Sequence, residues 1–224
     1  MYVNAGFLFR NAAEIGGRLA DSVAVESRRD ALVTITLATI STEAFINELH
    51  HYARDASGTA APGWINALRD VLEEAEKSRA SIEAKYQLAS FIMSGQPFDR
   101  GAPPFQDFAL LIKVRNLIVH LRPQEATVEK GKNGELFWVE PSIMRSLQIA
   151  GVLKVSEDTK GAAERLGADA ITSDLLTAIS SRPVARWACS AAAGIVNGIL
   201  ELIPKSRYSA AAESMYRKHF QLGW

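Results

Sequence analysis

Cysteine is nearly missing from this chain: Cys189 is the single one in 224 residues. One thiol excludes a disulfide framework and any zinc site built on cysteines. Its setting, "RWACSAAAGIVNGIL", reads as a small packed core residue rather than a nucleophile. Net charge is missing too, with 25 Lys+Arg against 25 Asp+Glu. A protein that coats nucleic acid through a diffuse basic surface must neutralise many phosphates, so any such contact here is confined to a local basic cleft. There is no long apolar run. The greasiest stretch, "ALVTITLATISTEAFI", is interrupted by Glu43 and by several threonines and serines, and is too short and polar to span a bilayer. The start, "MYVNAGFLFRNAAEIGG", lacks the basic segment and apolar run of a signal peptide. A soluble, reducing, cytoplasmic setting with no membrane partner is the expectation. Phosphate-binding glycine loops, nucleophile elbows and metal-ligand constellations are absent as well, so neither a cofactor nor a metal is expected.

What is there is an ordinary globular composition. Hydrophobic residues at 48% and charged residues at 22% leave enough apolar surface for a real core, which argues against wholesale disorder. Residues 1–29 form an N-terminal segment with an apolar start and a weak helical pattern interrupted by Gly16-Gly17. From about Asp30 to Ala53 helical patterning runs without a breaker. "SGTAAPG" is a loop, residues 64–95 make one or two helices ended by Gly95, and a further helix covers about 105–121, stopped by Pro123. Beyond residue 123, "ATVEKGKNGELFWVEP" predicts a small hairpin turning at Asn133-Gly134. Helices at about 142–150, 184–204 and 208–220 complete the chain. The fold class expected is mainly α: an up-down helical bundle over 30–123, with a β-hairpin and C-terminal helices over 124–224 packed on the same domain.

The helix at 105–121 carries the chemistry. It contains "KVRNLIVHLRP", which sets Arg115, Asn116 and His120 in an otherwise apolar run. At 100° per residue, Leu110, Val114, Leu117 and Leu121 share one side, with Leu111 and Ile118 at its edge. Ile112 and Val119 superpose on the opposite side, forming a second apolar seam. Arg115 flanks that seam on one edge; Asn116, His120 and Lys113 flank it on the other, which puts Arg115 and His120 roughly 140° apart. A helix apolar on two sides is central to its domain or pressed against a partner. A two-fold homodimer around Ile112 and Val119 would bring two polar sets into one groove.

The run R-N-L-I-V-H resembles the signature of the HEPN superfamily, the higher-eukaryote and prokaryote nucleotide-binding domains. "STEAFINELHHYA" looks like the first long helix of its bacterial members, and "SIEAKYQLASFIMSGQPFDRGAPPFQDFALLIKVRNLIVHLRP" like the approach to their motif helix. The resemblance covers about residues 30–123. It implies a helical bundle, usually dimeric, and for many members a metal-independent endoribonuclease of toxin–antitoxin, phage-defence or RNA-processing systems; others only bind. On that reading Arg115 and His120 are catalytic and Asn116 supports them. RNA supplies its own nucleophile, the 2′-hydroxyl. A histidine, whose reference pKa lies near neutrality, suits proton transfer. A forked, permanently charged guanidinium suits the phosphate. The implied partners are RNA, a second copy and an antitoxin or other protein.

Three readings stay open: a nuclease, a non-catalytic nucleotide-, RNA- or protein-binding module of the same fold, and a structural bundle whose Arg, Asn and His are core glue. Glu43 and Asn47, an i,i+4 pair extended by Thr36, Thr39 and His50, either orient His120 and anchor Arg115 or bond between helices. Arg115 has Glu43 and Glu48 as candidate ion-pair partners. His50-His51 reads as a solvated helix end and the four tryptophans as core or interface residues; Lys113, with Lys130 and Lys132 of the hairpin, is a supporting candidate for contact with RNA phosphates, the alternative being simply solvated charges.

Overall fold

The structure is a computed structural model that describes residues 4–19, 25–120, 128–130, 136–138, 142–153 and 175–223. It is mainly helical. Five helices come first: α1 (Asn4–Arg18), α2 (Val25–Ala56), α3 (Gly63–Lys77), α4 (Ile82–Ser94) and α5 (Phe105–Val119). Two three-residue strands, β1 (Val128–Lys130) and β2 (Leu136–Trp138), pair antiparallel with Val128 opposite Trp138; the turn expected at Asn133-Gly134 lies outside the described residues. Then follow α6 (Ser142–Ile149), α7 (Arg182–Leu202) and α8 (Arg207–Tyr216).

α2 is the spine. Its 32 residues run about 48 Å at 1.5 Å per residue, and α1 and α7 make its most extensive contacts, with α3, α4 and α5 also packed on it. A helix contacted on so many sides buries some of its polar residues, among them Thr34, Thr39, Ser41 and Thr42. Thr36, Thr39, Ser41 and Thr42 donate their hydroxyls to carbonyls of their own helix at 2.7–2.8 Å. That is how buried hydroxyls avoid the cost of an unmade hydrogen bond. Interhelical bonding by Thr36 and Thr39, one of the alternatives raised by the sequence, is therefore not what these hydroxyls do.

Two boundaries differ from expectation, those of α1 and α5. α1 runs through Gly16 and Gly17 to Arg18, and Ala5, Phe9 and Ala12 are fully buried in the main core, so the first segment is an integral layer. Packing on α2 outweighs the glycine penalty, which is about 1 kcal/mol per residue. Of the one or two helices expected over 64–95 the structure has two, divided at Arg79, whose φ of 55° is left-handed. Ser81 then caps α4 by accepting from the Ala84 amide at 3.2 Å, and Gly95 ends it in the left-handed region as expected. α5 ends at Val119, before Pro123, which lies outside the described residues.

The alanine- and glycine-rich α7 makes a close fit with the loop before α5. A Cβ on Gly198 would stand 3.1 Å from Pro104 Cγ and 3.4 Å from Phe98. The C-terminal segment is strapped down by its own bonds: Tyr52 Oη donates to the Tyr208 carbonyl at 2.9 Å and Asn197 Nδ2 to the Phe220 carbonyl at 3.1 Å. Phe220 stacks on Phe9, with ring centres 4.6 Å apart, and closes α1 onto the C-terminus. Among the described residues no helix is long and apolar enough to cross a membrane.

Candidate functional site

α5 has two unlike ends. Its first half is driven inward by Phe105, Phe108, Leu110, Leu111, Ile112 and Val114, all buried. Tyr86 anchors this end: its ring lies 4.7 Å from that of Phe108, and its hydroxyl donates to the Thr42 carbonyl at 2.9 Å. The second half emerges. Arg115 is half-buried; Asn116, Val119 and His120 are exposed. Arg115 Nη1 donates to Asn116 Oδ1 at 3.1 Å. His120 is the cap residue, with φ −111° and ψ 47°, and its backbone amide donates to the Asn116 carbonyl at 2.9 Å. The 100° progression therefore stops at Val119, and His120 stands at the open end of the helix.

These positions revise two expectations. The seam of Ile112 and Val119 does not exist as one surface, because Ile112 is covered within the chain (7% exposed) while Val119 is 49% exposed. α5 packs against α2, α6 and α7, and those neighbours take up the side that sequence geometry assigned to a partner. Among the described residues, the supporting residues on α2 make no hydrogen bond or ion pair with the trio. Glu43 is exposed, and among the described residues it makes no ion pair with Arg115. Asn47 Oδ1 is buried without a hydrogen-bond partner among them. Glu48 is engaged elsewhere, accepting from the Ala5 amide at 3.1 Å and from Tyr216 Oη at 2.9 Å. Arg115 and Asn116 are joined directly and His120 follows them; Glu43 and Asn47 are not joined to them by any bond.

Lys113 belongs to a different feature. It is exposed and lines a cleft of about 440 Å³ between α5 and α6, together with Arg100, Pro103, Gln106, Asp107, Leu110, Ser146 and Ile149. Sequence reasoning missed Arg100, Gln106 and Ser146. Extending the helical progression back from Lys113 would have reached Gln106, which lies about 20° from it on the helix. Arg100 and Ser146 carry no local signal, since only tertiary packing brings them there. A roomier groove of about 590 Å³ between the start of α2 and residues 176–180 is mostly apolar apart from Arg28, Arg29, Thr177 and Ser180.

Two other singled-out features resolve structurally. Cys189 is buried, and burial pushes its thiol up to about 12, which keeps it protonated and poorly nucleophilic. The His50 and His51 rings lie 5.9 Å apart with their planes 22° from parallel. Burial, then the neighbouring His51, holds His50 below the ordinary histidine value. Lys132 lies outside the described residues. Compared with known proteins, the chain matches no family model, no curated protein and no solved structure.

Proposed function

We propose that the chain is a HEPN-like, metal-independent endoribonuclease of the kind that serves toxin–antitoxin or phage-defence systems. The observation that supports it is the solvent-open end of α5, where Arg115, Asn116 and His120 stand together and the Arg115 guanidinium is held by the Asn116 amide at 3.1 Å. His120 takes the proton of a ribose 2′-hydroxyl, the 2′-oxygen attacks phosphorus, and the bond to the 5′-oxygen breaks. Arg115 neutralises the charge that builds on the phosphoryl oxygens. The departing 5′-oxygen leaves protonated, giving a 2′,3′-cyclic phosphate and a 5′-hydroxyl. A second copy, docked over exposed Val119, supplies the second proton-transfer group, and an antitoxin would act by covering the same end.

Purified protein should cleave single-stranded RNA in EDTA and spare DNA of the same sequence. His120→Ala should reduce the rate at least about 100-fold, the lower end for a lost proton-transfer group, with an unchanged thermal midpoint. A His120→Ala protein that cleaves normally removes this mechanism.

One observation favours a non-catalytic alternative, a binding module for a nucleotide, RNA or protein. Within one copy, no side-chain hydrogen bond links His120 to Arg115 or Asn116, so a single chain offers a cationic contact more readily than a complete proton relay. Tight RNA binding without turnover separates the two.

A further inference from the structure

The cleft between α5 and α6 lies on the same face of α5 as the polar end. Taking Lys113 as origin, Gln106, Ala109 and Asn116 fall within about 60° of it, and His120 follows Asn116 at the helix terminus. Lys113 and Asn116 are one turn apart, and Lys113 to His120 spans about 10 Å of helix axis. The far end of the same groove is set by Arg100, in the loop before α5, and its outer wall by Ser146 and Ile149 of α6.

Two cations of this cleft differ from many others in the chain. Arg18, Arg69, Lys77, Lys85 and Arg217 each sit against a carboxylate. Arg100 and Lys113 have no carboxylate within ion-pair distance among the described residues, although Asp107 shares their cleft. In a chain with no net charge, two uncommitted cations in one concave site create a local positive field that the overall composition hides. Asp107 tempers it, leaving the cleft at one formal positive charge.

The lining also says what kind of ligand fits. Among the described residues no aromatic side chain lines the cleft, so they offer no stacking platform of the kind on which unpaired bases are held. The Ser146 hydroxyl is committed to the Ser142 carbonyl at 2.8 Å. What remains are Arg100, Lys113 and the Gln106 amide, donors suited to phosphate oxygens rather than to base edges. We infer that the groove from Arg100 through Lys113 to Asn116 is a backbone track, seating the phosphodiesters of a single-stranded RNA beside the phosphate at His120. This inference rests on the proposed RNA chemistry for its ligand, and it predicts affinity that is tolerant of base sequence.

The test uses full-length protein carrying His120→Ala, so that RNA stays intact, and a labelled single-stranded oligoribonucleotide of mixed sequence read by fluorescence anisotropy. Adding Arg100→Glu or Lys113→Glu should each weaken binding on the order of tenfold at low salt. Each should also flatten the dependence of log K on log salt by about 0.7, the share of one single-strand phosphate contact. Lys77→Glu, an equal change of charge on α3, which packs on α2 and α4, should leave binding unchanged. Equal binding by all variants, equal weakening by Lys77→Glu, or no binding by the His120→Ala parent overturns the track. Cleavage by the wild-type chain is scored separately: binding that depends on Arg100 and Lys113 without cleavage keeps the track and removes the nuclease. Cleavage with binding indifferent to both does the reverse.

Discussion

Two polar clusters in this molecule are put to opposite ends. Around Glu48, a carboxylate on α2 accepts from the Ala5 amide and from Tyr216 Oη, tying α1, α2 and α8 together. The Ala5 amide belongs to the first turn of α1, where backbone donors lack helical partners and an anion is favoured. Burial, followed by the Glu48 charge, raises the Tyr216 hydroxyl, so it remains a donor. At the end of α5, Arg115 and Asn116 satisfy each other and His120 faces solvent. The first cluster has its capacity consumed by the fold; the second leaves capacity unspent. A charged residue inside an apolar helix is thus no guide to function until its partners are counted.

The largest expected effect breaks the first cluster. Glu48→Ala leaves two part-buried donors without acceptors and should cost about 2–4 kcal/mol of stability, read by chemical denaturation. Arg115→Gln removes a half-buried guanidinium whose bond is to its neighbour Asn116 and should cost no more than about 1 kcal/mol, while lowering RNA cleavage. If Arg115→Gln destabilises as much as Glu48→Ala, the α5 end is structural and the contrast disappears.

Next in size is Gly6→Ala. The new Cβ would stand 2.8–2.9 Å from the Cβ, Cγ and Cδ2 atoms of His219, positions close to the backbone that cannot swing aside. Overpacking of this kind costs about 1–3 kcal/mol, and the loss should appear as a lower denaturation midpoint. A stabilised Gly6→Ala variant would mean that the C-terminal segment yields easily and that the fastening at Glu48 is not shared with its surroundings. Tyr216→Phe removes one donor and leaves Glu48 with the Ala5 amide, so about 1–2 kcal/mol is expected. In the Glu48→Ala background the same change should cost less than it does alone, because the two side chains form one coupled unit.

Legibility in the sequence followed the range of the forces involved. Helix existence, the stop at Gly95 and the inward faces of α5 at Leu110, Leu111 and Val114 were readable from period and capping, which are local. The continuity of α1 through Gly16 and Gly17 was not, because burial against α2 supplies what propensity lacks. Ile112 was read as a free surface because one helix in isolation cannot say how many neighbours will cover it. The Glu48 cluster joins residues 43 and 168 positions apart, and the Arg100–Ser146 cleft depends on α6 docking; neither leaves a local pattern. The trio at 115, 116 and 120 was legible as residue types, and its exposure was not, since the helix ends before its apolar run does.

The smallest effect concerns pH and reports on the region next to Glu48. His219 lies over the bare backbone of Gly6, and its imidazole is held below the ordinary histidine value by burial first, then by Arg10 and Lys218. A base with a lowered native pKa binds fewer protons folded than unfolded. Stability is therefore full above the unfolded value of about 6.5 and falls as the pH drops through that value toward the lowered one. His50, lowered by burial and by His51, acts in the same direction. The thermal midpoint should decline between about pH 6.5 and 5, before carboxylate protonation takes over. His219→Gln should reduce that decline without removing it, since His50 remains. A decline of full size in His219→Gln would mean that this imidazole binds protons alike folded and unfolded, and the close packing of the C-terminal segment over Gly6, beside the Glu48 cluster, would fail as the source of the effect.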